Sequence, residues 1–328
     1  MSYVTVPLTP FAEEEYARQI AFHSGTATTH GTTPVDDLRR RVVLARGREE
    51  ENLFPSIRGR HGAADFFRER GIVWWSHTRE KDRPSRHLAS SQVSCVNFLL
   101  PLAVGHSDAL LALLQAIDPD IVDIVPIEHE GRRALAEFEW VGVSGPLEGV
   151  PFVRGEKCTS IDALILGRTA DRTVRGYFVE WKYTESCGEL LGHGRPSTRL
   201  ARYGELYRSS GCFRAPLESL MYDPAYQLVR SLLLGFRTVK QRELGVIEAR
   251  TVVVCPDANQ SYRLLPPEHT LAGGSVISVN DFMHQRALAA PDRFCMVSQR
   301  QLFDRILESG ASTPQGWADY HRRRYAWR

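Results

Sequence analysis

Three charged residues stand where a buried sheet would be expected. The run FVEWKY places Glu180 and Lys182 two positions apart among aromatic and aliphatic neighbours. Side chains alternate across a strand, so the two charges share one face and Val179 and Trp181 take the other. Asp162, in SIDALILGR, lies on the preceding strand, joined to the first by the turn TADRT. Charges close to a sheet core are costly unless paired or metal-bound. Two carboxylates hold a hard divalent cation such as Mg²⁺, with Mn²⁺ as a substitute, and Trp181 is placed to lend its backbone carbonyl as a further oxygen ligand. Lys182 then orients or helps to deprotonate a water, or neutralises charge on a phosphorane-like transition state. The cation polarises the phosphate and makes hydroxide more available. The set suits hydrolysis of a phosphodiester. A plainer reading stands beside it: Asp162 caps a turn or pairs with an arginine, and Glu180 and Lys182 form an ordinary same-face pair.

These residues need strands and helices to position them. Helices are expected over 11–24, with Glu13, Glu14 and Glu15 in its first turn, and over 35–46, 61–71 and 107–117. LASSQVSCVNFLLPLAV reads as a buried helix capped by Ser90 or Ser91, with Gln92 and Asn97 as hydrogen-bonded interior residues. IVDIVPIE and ALAEFEWVGV look like strands. DPAYQLVRSLLLGFRTVKQRE is a strong helix with Asp223 as N-cap and Pro224 in its first turn, and EARTVVVC follows as a buried strand. A further apolar stretch, RFCMVS, precedes a helix in QRQLFDRILES and a basic end, HRRRYAWR, which either binds nucleic acid or solubilises the terminus. The order predicts one α/β unit with a helical amino-terminal elaboration.

With Asp162 ending one half-motif and Glu180-Trp181-Lys182 forming the other, this region resembles the PD-(D/E)XK nuclease superfamily. The usual proline before the aspartate is replaced by Ile161. VEWKYTES and SSQVSCVNFL are similar to a bacterial group of restriction-endonuclease-like proteins, over roughly residues 75–260. The resemblance implies a restriction-endonuclease-like core, a central mixed sheet flanked by helices. Its helix, three meandering strands, second helix and fourth strand map onto 90–104, 134–143, 160–167, 175–184, 224–236 and 250–256. Residues 1–74 are then a helical elaboration, 75–260 the nuclease-like core and 261–328 a C-terminal α/β extension packed on it. The superfamily's first helix often carries another acidic ligand. Here that segment offers Gln92 and Asn97, which leaves Glu139 or Glu15 as substitutes. Gln227 resembles a site-facing glutamine of the recombination-type branch, although Ser231 stands where that branch has tyrosine. The resemblance implies a Mg²⁺-dependent deoxyribonuclease of restriction, defence or DNA processing, and a homodimer if both strands are cut. The alternatives are a nuclease fold kept for DNA binding or assembly, and an RNA or structure-specific nuclease.

Composition narrows the rest. Lys and Arg total 41 against 39 Asp and Glu, a formal charge of +2, which neither demands nor excludes nucleic acid. Arg79, Lys81, Arg83 and Arg86 in HTREKDRPSRH, together with Arg195 and Arg230, are candidates for contacts with the DNA backbone. A solvated charged loop is the plainer meaning of that segment. The six cysteines form no CxxC and read as reduced, packed thiols of a cytoplasmic protein. The amino terminus lacks a signal-peptide pattern, and LLPLAVGHSDALLALLQAI is too broken for a membrane span. No phosphate-binding GxxxxGK[ST], dinucleotide GxGxxG, HExxH or GxSxG motif occurs.

Overall fold

Capping residues set the limits of the first helix in the computed structural model, which describes residues 7–25, 34–75, 81–149, 152–154, 158–187, 196–269 and 271–325. Helix α1 (Pro10–Ser24) begins where the Thr9 hydroxyl accepts the Ala12 N–H and ends at Gly25, whose φ of 69° is left-handed. Helices α2 (Val35–Arg41) and α3 (Ala63–Glu69) are short. α2 stops earlier than expected because Val43 leaves it to bridge His87. Ser90 caps α4 (Ser91–Ala103), which is buried from Gln92 to Ala103, as an apolar sequence with no polar face requires. Helix α5 (Ser107–Gln115) follows.

Strands β1 (Ile121–Val125), β2 (Ile127–His129), β3 (Arg132–Ala134) and β4 (Ala136–Trp140) come next; Pro126, which has no N–H to donate, separates the first two. The long pair β5 (Ile161–Thr169) and β6 (Val174–Trp181) is antiparallel, and TADRT is the turn between them. Helices α6 (Pro196–Ser210) and α7 (Ala225–Gln241) lead to β7 (Glu248–Val254), which lies parallel to β6. At the start of α7 the N-cap is Pro224, with no side-chain cap bond, rather than Asp223. Short elements α8 (Gln260–Arg263), β8 (Leu264–Leu265), β9 (Ile277–Ser278) and α9 (Val279–Phe282) precede β10 (Phe294–Val297), α10 (Gln299–Glu308) and α11 (Trp317–Tyr325). Helix α11 takes in most of the basic end and was not expected from its composition.

The central sheet is mixed, in the order β1-β5-β6-β7-β10. β1 and β4 share one edge of β5 end to end: β1 pairs along Leu166–Thr169 and β4 along Ile161–Ile165. One face, with Ala163, Ile165, Val179, Trp181 and Val252, packs on α4, α5, α10 and α11. The other, with Leu164, Leu166 and Phe178, packs on Leu234 of α7. Gly235 allows a close approach there, since a Cβ would come within 3.2 Å of the Ala249 Cβ. The fold is thus α/β, a central mixed sheet flanked by helices with more helices at the amino end.

Candidate active site

The register around β5 brings three carboxylates into a row. Ala163 pairs with Val179 on one side, and Phe138 with Ala163 and Trp140 with Ile161 on the other. Glu139, Asp162 and Glu180 therefore stand abreast on β4, β5 and β6. Between its two paired neighbours Glu139 has a φ of 44°, a left-handed conformation that is uncommon for glutamate and a strain inside a strand. The Arg154 guanidinium donates to the carbonyls of Phe138 and Glu139 and pairs with Glu137, which fixes this distortion. The Glu139 carboxylate accepts from Gln92 Nε2 and from Ser160 Oγ, each at 2.7 Å.

Asp162 accepts the Trp181 N–H at 2.6 Å, so a side chain replaces the strand-to-strand bond where β5 and β6 part. On a strand the carbonyl of a residue points to the same edge as its N–H, which is the geometry that the expected role of the Trp181 carbonyl requires. Glu180 accepts from Lys182 Nζ at 2.8 Å, from Gln227 Nε2 and, on its other oxygen, from Ser231 Oγ at 3.5 Å. Lys182 is anchored through its backbone, its N–H donating to Val254 and its carbonyl accepting from Gln299. All four side chains line a cavity of about 350 Å³ with Trp75, Ser91, Gln92, Cys158, Thr159, Ser160, Glu185, Gln227, Arg230 and Ser231.

Charge in this cavity is unevenly matched. Burial raises the Asp162 carboxyl well above the usual range, and the Glu180 and Glu139 carboxylates raise it further against Lys182 and the Trp181 N–H. Burial also lifts Glu139 to about 7, although Ser160 and Gln92 hydrogen-bond its charged form. Burial pulls the Lys182 ammonium down, but Glu180, Tyr262, Glu185 and Asp162 outweigh it and hold the group protonated. Among the described residues no three His, Cys, Asp or Glu side chains already stand in a metal-holding arrangement. The donor chemistry nonetheless fits a hard cation: crowded carboxylate oxygens, mutually repelling, whose protonation would be relieved by a divalent positive charge.

The other expected residues fall in three places. Arg230 is at the cavity, with Nε on Thr159 Oγ1 and Nη2 on the Cys158 carbonyl, both at 2.9 Å. Glu15 is elsewhere, buried under Tyr183 Oη and Arg18 in a separate cleft. Arg83 lines a different, larger cleft, exposed and 3.8 Å from Glu49, and Arg86 donates to the Leu44 carbonyl. Lys81, half-buried, accepts the Trp74 N–H on its carbonyl. Arg79 and Arg195 lie outside the described residues. Trp75, Ser160, Glu185 and Arg154 were not singled out by sequence. Ser160 and Glu185 flank the motif strands and were legible by adjacency, whereas no local signal marks Trp75 or Arg154.

Residues 16–326 match the family model described as Restriction Endonuclease associating with ARP, whose name carries a nuclease-related role. No curated protein matches the chain, and no solved structure does. Among the described residues no helix is long and apolar enough to cross a membrane.

Proposed function

We propose, from the premise that this chain belongs to the family Restriction Endonuclease associating with ARP, that it is a metal-dependent nuclease of the PD-(D/E)XK type hydrolysing phosphodiester bonds in DNA. One observation carries the reading. Glu139, Asp162 and Glu180 stand in a row on three adjacent strands, with Lys182 beside them, before an open cavity. Asp162, Glu180 and the Trp181 carbonyl are the candidate cation ligands, and Glu139 takes the place of an acidic residue on α4. The cation, Mg²⁺ or in its stead Mn²⁺, supplies Lewis-acid polarisation of the phosphate and a more acidic water.

The protein's own groups then divide the work. Lys182, held protonated, donates to charge developing on the phosphate oxygens and does not take up a proton. Gln227 and Ser231 keep Glu180 in one orientation, as Gln92 and Ser160 do for Glu139. Arg230, on the cavity wall, is the arginine available to a neighbouring phosphate. Restriction, defence or DNA processing and association with the ARP of the family description belong to the same proposal, with a homodimer required only if both strands of a duplex are cut.

The competing reading is a nuclease fold kept for DNA binding or assembly. It draws on the Lys182–Glu180 ion pair, which already satisfies both charges. Supercoiled plasmid and end-labelled single and double strands, incubated with Mg²⁺, Mn²⁺ or EDTA, separate the two. Metal-dependent cutting is expected, falling about 10²–10³-fold in folded Lys182→Ala protein. Binding without cutting in either metal would decide for the competing reading.

A further inference from the structure

Trp75 is the exception among the described tryptophans. Trp74, Trp140, Trp181 and Trp317 are each at most 1% exposed, whereas Trp75 is 64% exposed. The backbone around it is held on several sides. Trp74, stacked on Phe67 with ring centroids 4.0 Å apart, is locked into the core, and the Val73 N–H donates to the Arg154 carbonyl. The Trp75 N–H itself donates to Gln92 Oε1 at 2.7 Å, and the same amide donates through Nε2 to Glu139. One glutamine thus ties the backbone of Trp75 to the row of carboxylates, and Trp75 lines the same cavity.

A large aromatic face held in water beside crowded carboxylates is a poor site for an apolar partner, which would strip water from the acids without pairing them. A nucleotide suits both halves: its phosphate belongs to the cation site, and its base offers a π-face to the indole. We propose that Trp75 is a stacking platform for an unpaired base next to the candidate cleavage site. The favoured substrate is then a DNA strand with unpaired nucleotides, such as a single strand or a flap, and not a continuous duplex. A base in a duplex has both faces covered by its neighbours and reaches an indole only after unstacking. This inference rests on the nucleic-acid reading of the cavity given above.

The test is equilibrium binding of fluorescent oligodeoxynucleotides, single-stranded, blunt duplex and tailed duplex, by Lys182→Ala protein in Mg²⁺. Adding Trp75→Ala is expected to weaken single-strand and tailed-duplex binding about 5- to 100-fold, with blunt-duplex binding changed less than about twofold. Trp75→Phe keeps most of the affinity, because a smaller aromatic still stacks. Replacing bases one at a time by abasic sugars is expected to remove the Trp75→Ala effect at one position. Equal losses on single strand and duplex, no loss on either, or no binding of any oligonucleotide would each overturn the proposal. The readout requires no turnover. A wild-type protein that cuts nothing while Trp75 discriminates single strands removes the nuclease reading alone; cutting that is indifferent to Trp75 removes this inference alone.

Discussion

Lys182 and Arg324 are both buried cations, 7% and 1% exposed, but their surroundings differ in kind. Arg324 spends every N–H it has. Nε donates to Gln19, Nη1 to the Asn52 carbonyl and the Tyr320 hydroxyl, and Nη2 to Asn52 Oδ1 and the Leu88 carbonyl. These acceptors are neutral, and they belong to segments far apart in sequence, so one guanidinium ties α1, the 3₁₀ turn Glu49–Asn52, the α4 entrance and α11 together. Lys182 faces carboxylates that outnumber it, in a wall open to a cavity. Tyr183, the next residue, joins the regions: its hydroxyl accepts from Gln19 and donates to Glu15 on the Arg324 side. A polar cluster that only holds a fold together is balanced within itself. One with crowded carboxylates at a cavity is, on the function proposed above, arranged for something that arrives from outside.

Mutation can break this contrast. The largest effect is expected at the balanced cluster, where Arg324→Met breaks five hydrogen bonds, two of them to acceptors that Asn97 also serves, and should remove about 3–5 kcal/mol of stability in urea denaturation. A loss under about 1 kcal/mol would show that the network is dispensable. The same cluster should also be acid-sensitive. Burial pushes His321 down to about 3, with Arg324 adding to the effect against the Asn97 carbonyl. The unfolded chain takes up this proton below about pH 6.5 and the folded one only near 3, so the stability is complete above pH 6.5 and falls as the pH drops. At pH 5 the loss is about 2 kcal/mol. Melting temperatures of wild type and His321→Phe across pH 4–8 check this, and parallel curves would refute it. The smallest effect has the opposite sign. Glu139→Gln relieves one of three crowded carboxylates and should stabilise the protein in EDTA by about 0.5–2 kcal/mol while lowering any metal-dependent cutting. A destabilised Glu139→Gln protein would mean that Glu139 serves the fold, and the contrast between the regions would fail.

How much of this was legible depends on how local the cause was. The α4, β5, β6, α7 and β7 segments were readable because periodicity and caps act within a few residues, and observed limits fall close to the expected ones. Gln92 and Asn97 were read as satisfied interior residues and are so, with Asn97 bonded to Phe54, Asn52 and Tyr320. The basic end was read by charge alone. Charge does not distinguish Arg322 and Arg323, which are exposed, from Arg324, which is buried. Only the helical phase of α11 against α1 separates them.

The alternation in FVEWKY was enough to place Glu180 and Lys182 on one face and Trp181 in the core, because a strand's period of two is a property of the backbone itself. The adjacent turn was enough to bring Asp162 opposite them. Which further acid joins that row was decided only by the pairing of β4 with β5 and by a left-handed residue held by Arg154. That outcome places Glu139 at the cavity and leaves Glu15 beneath Tyr183. The exposure of Trp75 beside the buried Trp74 was likewise decided by tertiary contacts, since two adjacent indoles have no intrinsic inside and outside. Local stereochemistry is written into a few neighbouring residues; the meeting of distant segments is set by the packing of the whole chain.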